Sequence, residues 1–209
     1  MLLVVTGASG AGKTTVRERV AARLGIESIE VRTMRPDRPV RTTFSRQEVG
    51  EQVVAQAVEF DRRGRHLLFC GDPFPPGEAL ACPSADQVDI AVCHLHVSAD
   101  EQIRRLRERG EPEESLVHHI RFAEWMLAHV QDPRVSPDVI VDGGWPAMRW
   151  DRWLGRSDLV DVWASQVINT TAHSPDEVAS KVTMWGLRAL SGAAPVFRRG
   201  WHTAGRGTD

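Results

Sequence analysis

Lysine is almost missing from this 209-residue chain: Lys13 and Lys181 are the only two, and arginine supplies the rest of the fixed side-chain positive charge. Basic residues number 26 against 28 acidic ones, a net charge of -2. That balance lacks the positive surplus with which proteins meet nucleic-acid phosphates, so a dedicated nucleic-acid role is not expected. Cysteine is scarce as well. Cys70, Cys82 and Cys93 are odd in number and have no CxxC spacing, which argues against a disulfide framework or a zinc site and for free thiols in a reducing compartment. No apolar run approaches the roughly 18 residues that span a bilayer, and Met1 leads into an apolar segment without a charged, cleavable leader. The expectation is a cytoplasmic protein without a membrane partner, monomeric or homodimeric. Metal-ligating histidine patterns are missing too. His118 and His119 are consecutive and point to different helix faces, and His94 and His96 share a strand face without an acidic or cysteine partner, so packing or hydrogen bonding is expected of them.

What is present is an ordinary globular composition, 42% hydrophobic and 26% charged, with an alternating pattern. Leu2-Leu3-Val4-Val5-Thr6 is apolar and partly β-branched and ends in glycine, as a buried parallel strand does; ligands collect at the carboxyl end of such a strand. Val16, Val20 and Leu24 give Lys13 to Leu24 a helical period that Gly25 closes. The pattern predicts strands at Ser28 to Thr33, His66 to Cys70, Val88 to Val97 and Ser165 to Thr170. It predicts helices at Ser45 to Arg63, from a Ser98 cap to about Arg109, at Glu113 to Val130, and from a Ser174 capping box to about Leu190. Gly71 to Gly77 reads as an irregular site loop. Residues 138–163 stay open, Asp138 to Val141 reading as a strand and 143–153 as a loop or short helix; Trp145, Trp150 and Trp153 fill the core or wall an acceptor pocket. Strand and helix alternation of this kind implies an α/β protein, a parallel sheet of about five strands covered by helices on both faces. Residues 1–190 are expected as a single domain with a short lid around 110–130, and 191–209 as a flexible tail.

The chemistry centres on Gly7-Ala8-Ser9-Gly10-Ala11-Gly12-Lys13-Thr14, a complete GxxxxGK[ST] phosphate-loop motif between a predicted strand and a predicted helix. Its glycines let the backbone N–H groups of Ser9 to Lys13 turn in around a β-phosphate, and the helix N-terminus adds partial positive charge. Lys13 is placed to bridge β- and γ-phosphates, Thr14 to ligate Mg²⁺ and Thr15 to contact the α-phosphate.

On these residues the chain resembles the shikimate kinase, gluconate kinase and adenylate kinase branch of P-loop phosphotransferases, over Met1 to about Leu190. Two further stretches are similar: Val88 to Gly110, as the strand and helix leading into the lid, and Gln166 to Glu177, as the last strand and its capped helix. The resemblance implies the three-layer P-loop NTPase fold and a kinase using ATP and Mg²⁺ on a small-molecule acceptor. It implies that Arg105 stacks on adenine and that Arg109 reaches the transferring phosphate; the competing reading is a solvated basic face paired with Glu101 and Glu108. Arg121 is a third candidate. Arg32, Arg35 and Arg38, with Arg41, crowd the edge where this family receives its acceptor, and arginine forks suit a carboxylate or phosphate, hence an anionic acceptor. A solvated basic loop is the alternative there.

Asp72, after the third strand, is a candidate either to order Mg²⁺ through water or to accept the acceptor's proton, and a turn-forming aspartate is the plain reading. An adenylate kinase has its aspartate where Cys70 stands, and a shikimate kinase has an acceptor-binding one near Arg32. These departures count against either substrate, and the acceptor stays open. A nucleotide-dependent ATPase or switch acting on a protein partner is the alternative function; the absence of NKxD and of a hydrophobic run ending in Asp-Glu argues for the kinase.

Overall fold

The computed structural model describes residues 1–34, 42–156, 163 and 165–203, with only the backbone at 32 and 33. Five strands, β1 (Leu2–Thr6), β2 (Glu27–Ile29), β3 (Leu67–Cys70), β4 (Ile90–His96) and β5 (Ser165–Asn169), form one parallel sheet in the order β2-β3-β1-β4-β5. Parallel neighbours require crossovers, which the helices supply. They are α1 (Lys13–Leu24), α2 (Val31–Met34), α3 (Thr43–Arg62), α4 (Pro76–Ala81), α5 (Ala99–Glu108), α6 (Glu113–Gln131), α7 (Asp138–Val141) and α8 (Pro175–Leu190).

Strand β1 is buried throughout, and its period-two alternation sorts the core into two halves. Leu2 and Val4 face a cluster with Val49, Val53 and Ala57 of α3, while Leu3 and Val5 face Val16 and Val20 of α1 and Val178 and Val182 of α8. Helices therefore cover both faces, as the composition of the strands requires. With β3 on one side of β1 and β4 on the other, the connections diverge at the carboxyl end of β1. A crevice opens at such a switch point.

Local signals act as expected at several boundaries. Gly25 takes the left-handed conformation, and the Gly25 and Ile26 N–H groups donate to Ala22 and Ala21 carbonyls, closing α1. Ser174 and Glu177 form the reciprocal capping box of α8, with Pro175 in its first turn. Helix α3 begins two residues before its expected start, because Thr42 and Ser45 make a capping box of their own.

Other expectations are corrected. The second strand stops at Ile29, and Val31–Met34 turns into a helix rather than continuing to Thr33. The proline-rich site loop is shorter than expected: Pro76 starts α4, since a proline in the first turn loses no hydrogen bond that a helix would make. Asp138–Val141 is a helical turn, not a strand. Ser98 is the N-cap of α5 but its side chain makes no capping bond; its N–H donates to Thr171 Oγ1, and the Glu101 carboxylate pairs with Arg104 and Arg105.

The expected flexible tail is docked as far as Thr203. Phe197 exchanges both backbone hydrogen bonds with Ile90, Arg198 pairs with Asp89 at 2.8 Å and Arg199 with Asp61 at 2.8 Å. Among the described residues the tryptophan-rich region makes a run of ring contacts: His129 stacks on Trp125, and the contacts continue through Trp153 and Trp163 to Phe197 and Trp201. No helix among the described residues is long and apolar enough to cross a membrane, and Cys70, Cys82 and Cys93 are buried free thiols.

Candidate functional site

The loop between β1 and α1 is a compact cradle whose glycines are sterically required. Gly7 has φ 148°, and a Cβ there would lie 2.4 Å from the Leu95 carbonyl oxygen. Gly12 caps α1 in the left-handed region, which turns the chain into the helix at Lys13. The Lys13 ammonium is buried and folded back onto its own loop, donating to the Gly7 carbonyl at 2.7 Å and the Ala8 carbonyl at 2.8 Å. Burial pulls its pKa down to about 8; the Asp72 carboxylate opposes that shift and Arg109 adds to it. Cys70 is also near, but burial pushes its thiol up to about 12, so it is neutral at pH 7 and lends Lys13 no charge.

Two short bonds bring the end of β3 to this loop. The Cys70 thiol donates to the Lys13 carbonyl at 3.2 Å, and the Phe74 N–H donates to Thr6 Oγ1 at 2.9 Å. Asp72 lies between them in sequence, and its Oδ2 accepts the Val31 N–H at 3.3 Å. A cleft of about 440 Å³ results, lined by Thr14, Glu30, Gly71, Asp72 and Arg109. Hydroxyl and carboxylate oxygens of this kind suit Mg²⁺, a hard cation that keeps several waters and takes one or two carboxylates beside substrate phosphates.

A second cavity, of about 360 Å³, lies on the other side of the loop, with Gly10, Gly12 and Thr15 on one wall and Arg105, Thr170, His173 and Pro175 on others. Arg109, the exposed C-cap of α5, lines both spaces. Arg105 lines the second cavity alone of the two and is held by its partners: it pairs with Glu101 at 2.8 Å and donates to the Gly10 carbonyl at 3.0 Å and the Thr170 carbonyl at 3.3 Å.

The structure thus brings Lys13, Thr14, Asp72 and Arg109 together from α1, the β3–α4 segment and the end of α5. Gly7, Ser9, Gly10, Ala11, Gly12 and Thr15 form the adjoining loop and helix start. Arg121 is exposed on α6 and lines neither space. Of the acceptor-side arginines, Arg35, Arg38 and Arg41 lie outside the described residues, and Arg32 has only its backbone described, in α2.

Two site residues escaped the sequence reading. Glu30 directly follows β2 and enters the cleft, paired with Arg17 at 3.1 Å; extending that strand to Thr33 concealed it as a strand-end carboxylate. Gln102 is 1% exposed and donates to the Ser9 carbonyl at 2.8 Å. Its position one turn before Arg105 was the available signal.

No protein-family profile matches the chain. A curated relative from Thermococcus onnurineus, named "Putative adenylate kinase", is 29% identical over 123 residues, which cover 57% of this chain and 62% of that protein. The match spans less than two thirds of the relative's length. Among solved structures, an unliganded sugar kinase from Janibacter sp. aligns with a TM-score of 0.55 at 16% identity, covering 92% of this chain and 97% of that one. A shikimate kinase from Acinetobacter baumannii in complex with shikimate aligns with a TM-score of 0.52 at 15% identity, over 91% and 93% of the two chains. The chain has the P-loop α/β fold of this small-molecule kinase branch.

Proposed function

We propose that the chain is a kinase that moves the γ-phosphoryl group of ATP to a small-molecule acceptor. The observation that supports this best is the convergence of Lys13, Thr14, Asp72 and Arg109 on the mouth of the phosphate loop, with Arg109 common to the two cavities. Phosphoryl transfer demands positioning and charge stabilisation more than covalent help, and these groups supply both. The loop amides hold the β-phosphate. Lys13 leaves the Gly7 and Ala8 carbonyls to meet β- and γ-oxygens, and Arg109 screens the charge that spreads over the transferring group. Mg²⁺, held by Thr14 with Asp72 and Glu30 around it, would neutralise phosphate charge. Asp72 takes the acceptor's proton or would help to hold the metal. The acceptor enters from the β2 side, and the arginine-rich sequence of 32–41 favours an anionic compound.

The test is a mass-spectrometric screen of the purified protein with Mg·ATP and pooled sugars, acids, nucleosides, nucleotides and hydroxylated natural products, with Lys13→Ala as control. A product heavier by one phosphoryl group, absent with the variant, is the expected result. Lys13-dependent hydrolysis with no product from any pool would instead favour a nucleotide-dependent switch acting on a protein.

A further inference from the structure

Helix α5 grips the phosphate loop from behind through side chains three residues apart. Gln102 Nε2 donates to the Ser9 carbonyl and Arg105 Nη1 to the Gly10 carbonyl, so two successive carbonyls of the loop are held by one helix face. The contact is close: a Cβ on Gly10 would lie 3.3 Å from Gln102 Cγ and 3.7 Å from Leu106 Cγ. Arg105 also bonds Glu101 and Thr170, whereas the Gln102 amide lies buried between the loop and α6, its second contact being the His119 carbonyl at 3.5 Å.

The peptide bonds of the described chain are all trans, and in a trans peptide the carbonyl and the following N–H point in opposite directions. Fixing the Ser9 carbonyl outward on Gln102 therefore aims the Gly10 N–H inward, toward the space an anion would occupy. We infer that Gln102 is a positioning residue for nucleotide phosphate: it sets the orientation of the Ser9–Gly10 peptide and so preorganises the loop's amide cradle. The inference rests on the nucleotide-binding reading of the loop. A loop held in its binding geometry loses less on ordering than one that must find it, which raises affinity without any contact between Gln102 and ligand. An apolar residue of similar volume fills much of the space but leaves the Ser9 carbonyl without its donor and the peptide free to turn.

Calorimetric titrations of the full chain with Mg·ADP and with tripolyphosphate, which has no nucleobase, test this. Gln102→Leu is expected to weaken both ligands by about tenfold. Gln102→Glu is the second variant, since it keeps shape and polarity while replacing the donor by an acceptor. Its deficit relative to wild type is expected at pH 8 and is expected to shrink toward pH 5, where a protonated carboxyl donates to Ser9 again. Simple repulsion of phosphate by the new carboxylate predicts that recovery too, but no loss for the uncharged Gln102→Leu. Both variants binding both ligands within twofold of wild type, while Lys13→Ala loses them, would overturn the inference and leave the kinase reading standing. Wild-type protein that binds neither ligand would overturn the kinase reading itself.

Discussion

Gly7 and the carbonyl of Leu95 are packed so closely that the first atom of any side chain at position 7 would lie 2.4 Å from that oxygen. Strand β4 thereby fixes where the phosphate loop leaves β1. Backbone cannot yield as a flexible side chain does, and the positive φ of 148° adds strain of about 1–3 kcal/mol for a residue with a Cβ. Gly7→Ala is expected to lower Tm by several degrees and to weaken Mg·ADP binding by more than about tenfold, measured by thermal melts and calorimetry.

Nucleotide affinity is expected to depend on pH through Lys13. Its ammonium titrates at about 8 in the free protein, and bound phosphates favour the charged form and raise that value. Affinity is therefore full below pH 8 and falls as pH rises from 8 toward the raised value, by up to about tenfold per unit. Calorimetry from pH 6.5 to 9.5 reads this directly; a flat profile would place the phosphate contact elsewhere.

Asp72→Asn keeps the side chain's shape and its acceptor for the Val31 N–H while removing a base. With a phosphorylated acceptor in hand, kcat is expected to drop about 10²–10⁴-fold with ADP affinity little changed. An equal loss that excess Mg²⁺ repairs would assign Asp72 to the metal instead.

Acid should weaken the fold through His129. Burial among Trp125, Trp153 and Trp163 pulls its pKa from 6.5 to about 4, against the Val135 backbone and Asp132, which favour the charged form. The unfolded chain binds this proton first, so stability is unaffected above about pH 6.5 and declines as pH falls toward 4, by about 3 kcal/mol. His94, pulled to about 3 by burial, acts in the same direction. His129→Phe is expected to flatten much of the slope in urea melts between pH 7 and pH 4.5.

Elements with long, regular periods were legible from residues alone. The phosphate loop, α1 and α8 carry their own start and stop signals, and β1 and β4 are apolar runs that only a two-sided burial explains. Four-residue α2 and α7 and six-residue α4 have too few positions to express a helical period, and tertiary contacts decide them. The docked tail was hidden for a related reason: Phe197 and Trp201 have no local pattern, and their partners, Ile90, Trp163 and each other, are fixed only once the sheet exists. In the site, the motif disclosed every loop residue, because its spacing is covalent. Glu30 and Gln102 act through space, from a strand end and a helix face whose neighbours the sequence does not name.

The scarcity of lysine gives the depressed ammonium of Lys13 a chemical consequence. At pH 7 about a tenth of that amine is the neutral nucleophile, far more than for an ordinary lysine, whose pKa is near 10.4. Lys181, the other lysine, hydrogen-bonds the His173 ring at an exposed site on α8. An acylating reagent carried on a polyphosphate therefore meets a chain with two ε-amines and is delivered to one of them. Covalent capture at a single lysine would turn the phosphate loop into its own affinity label.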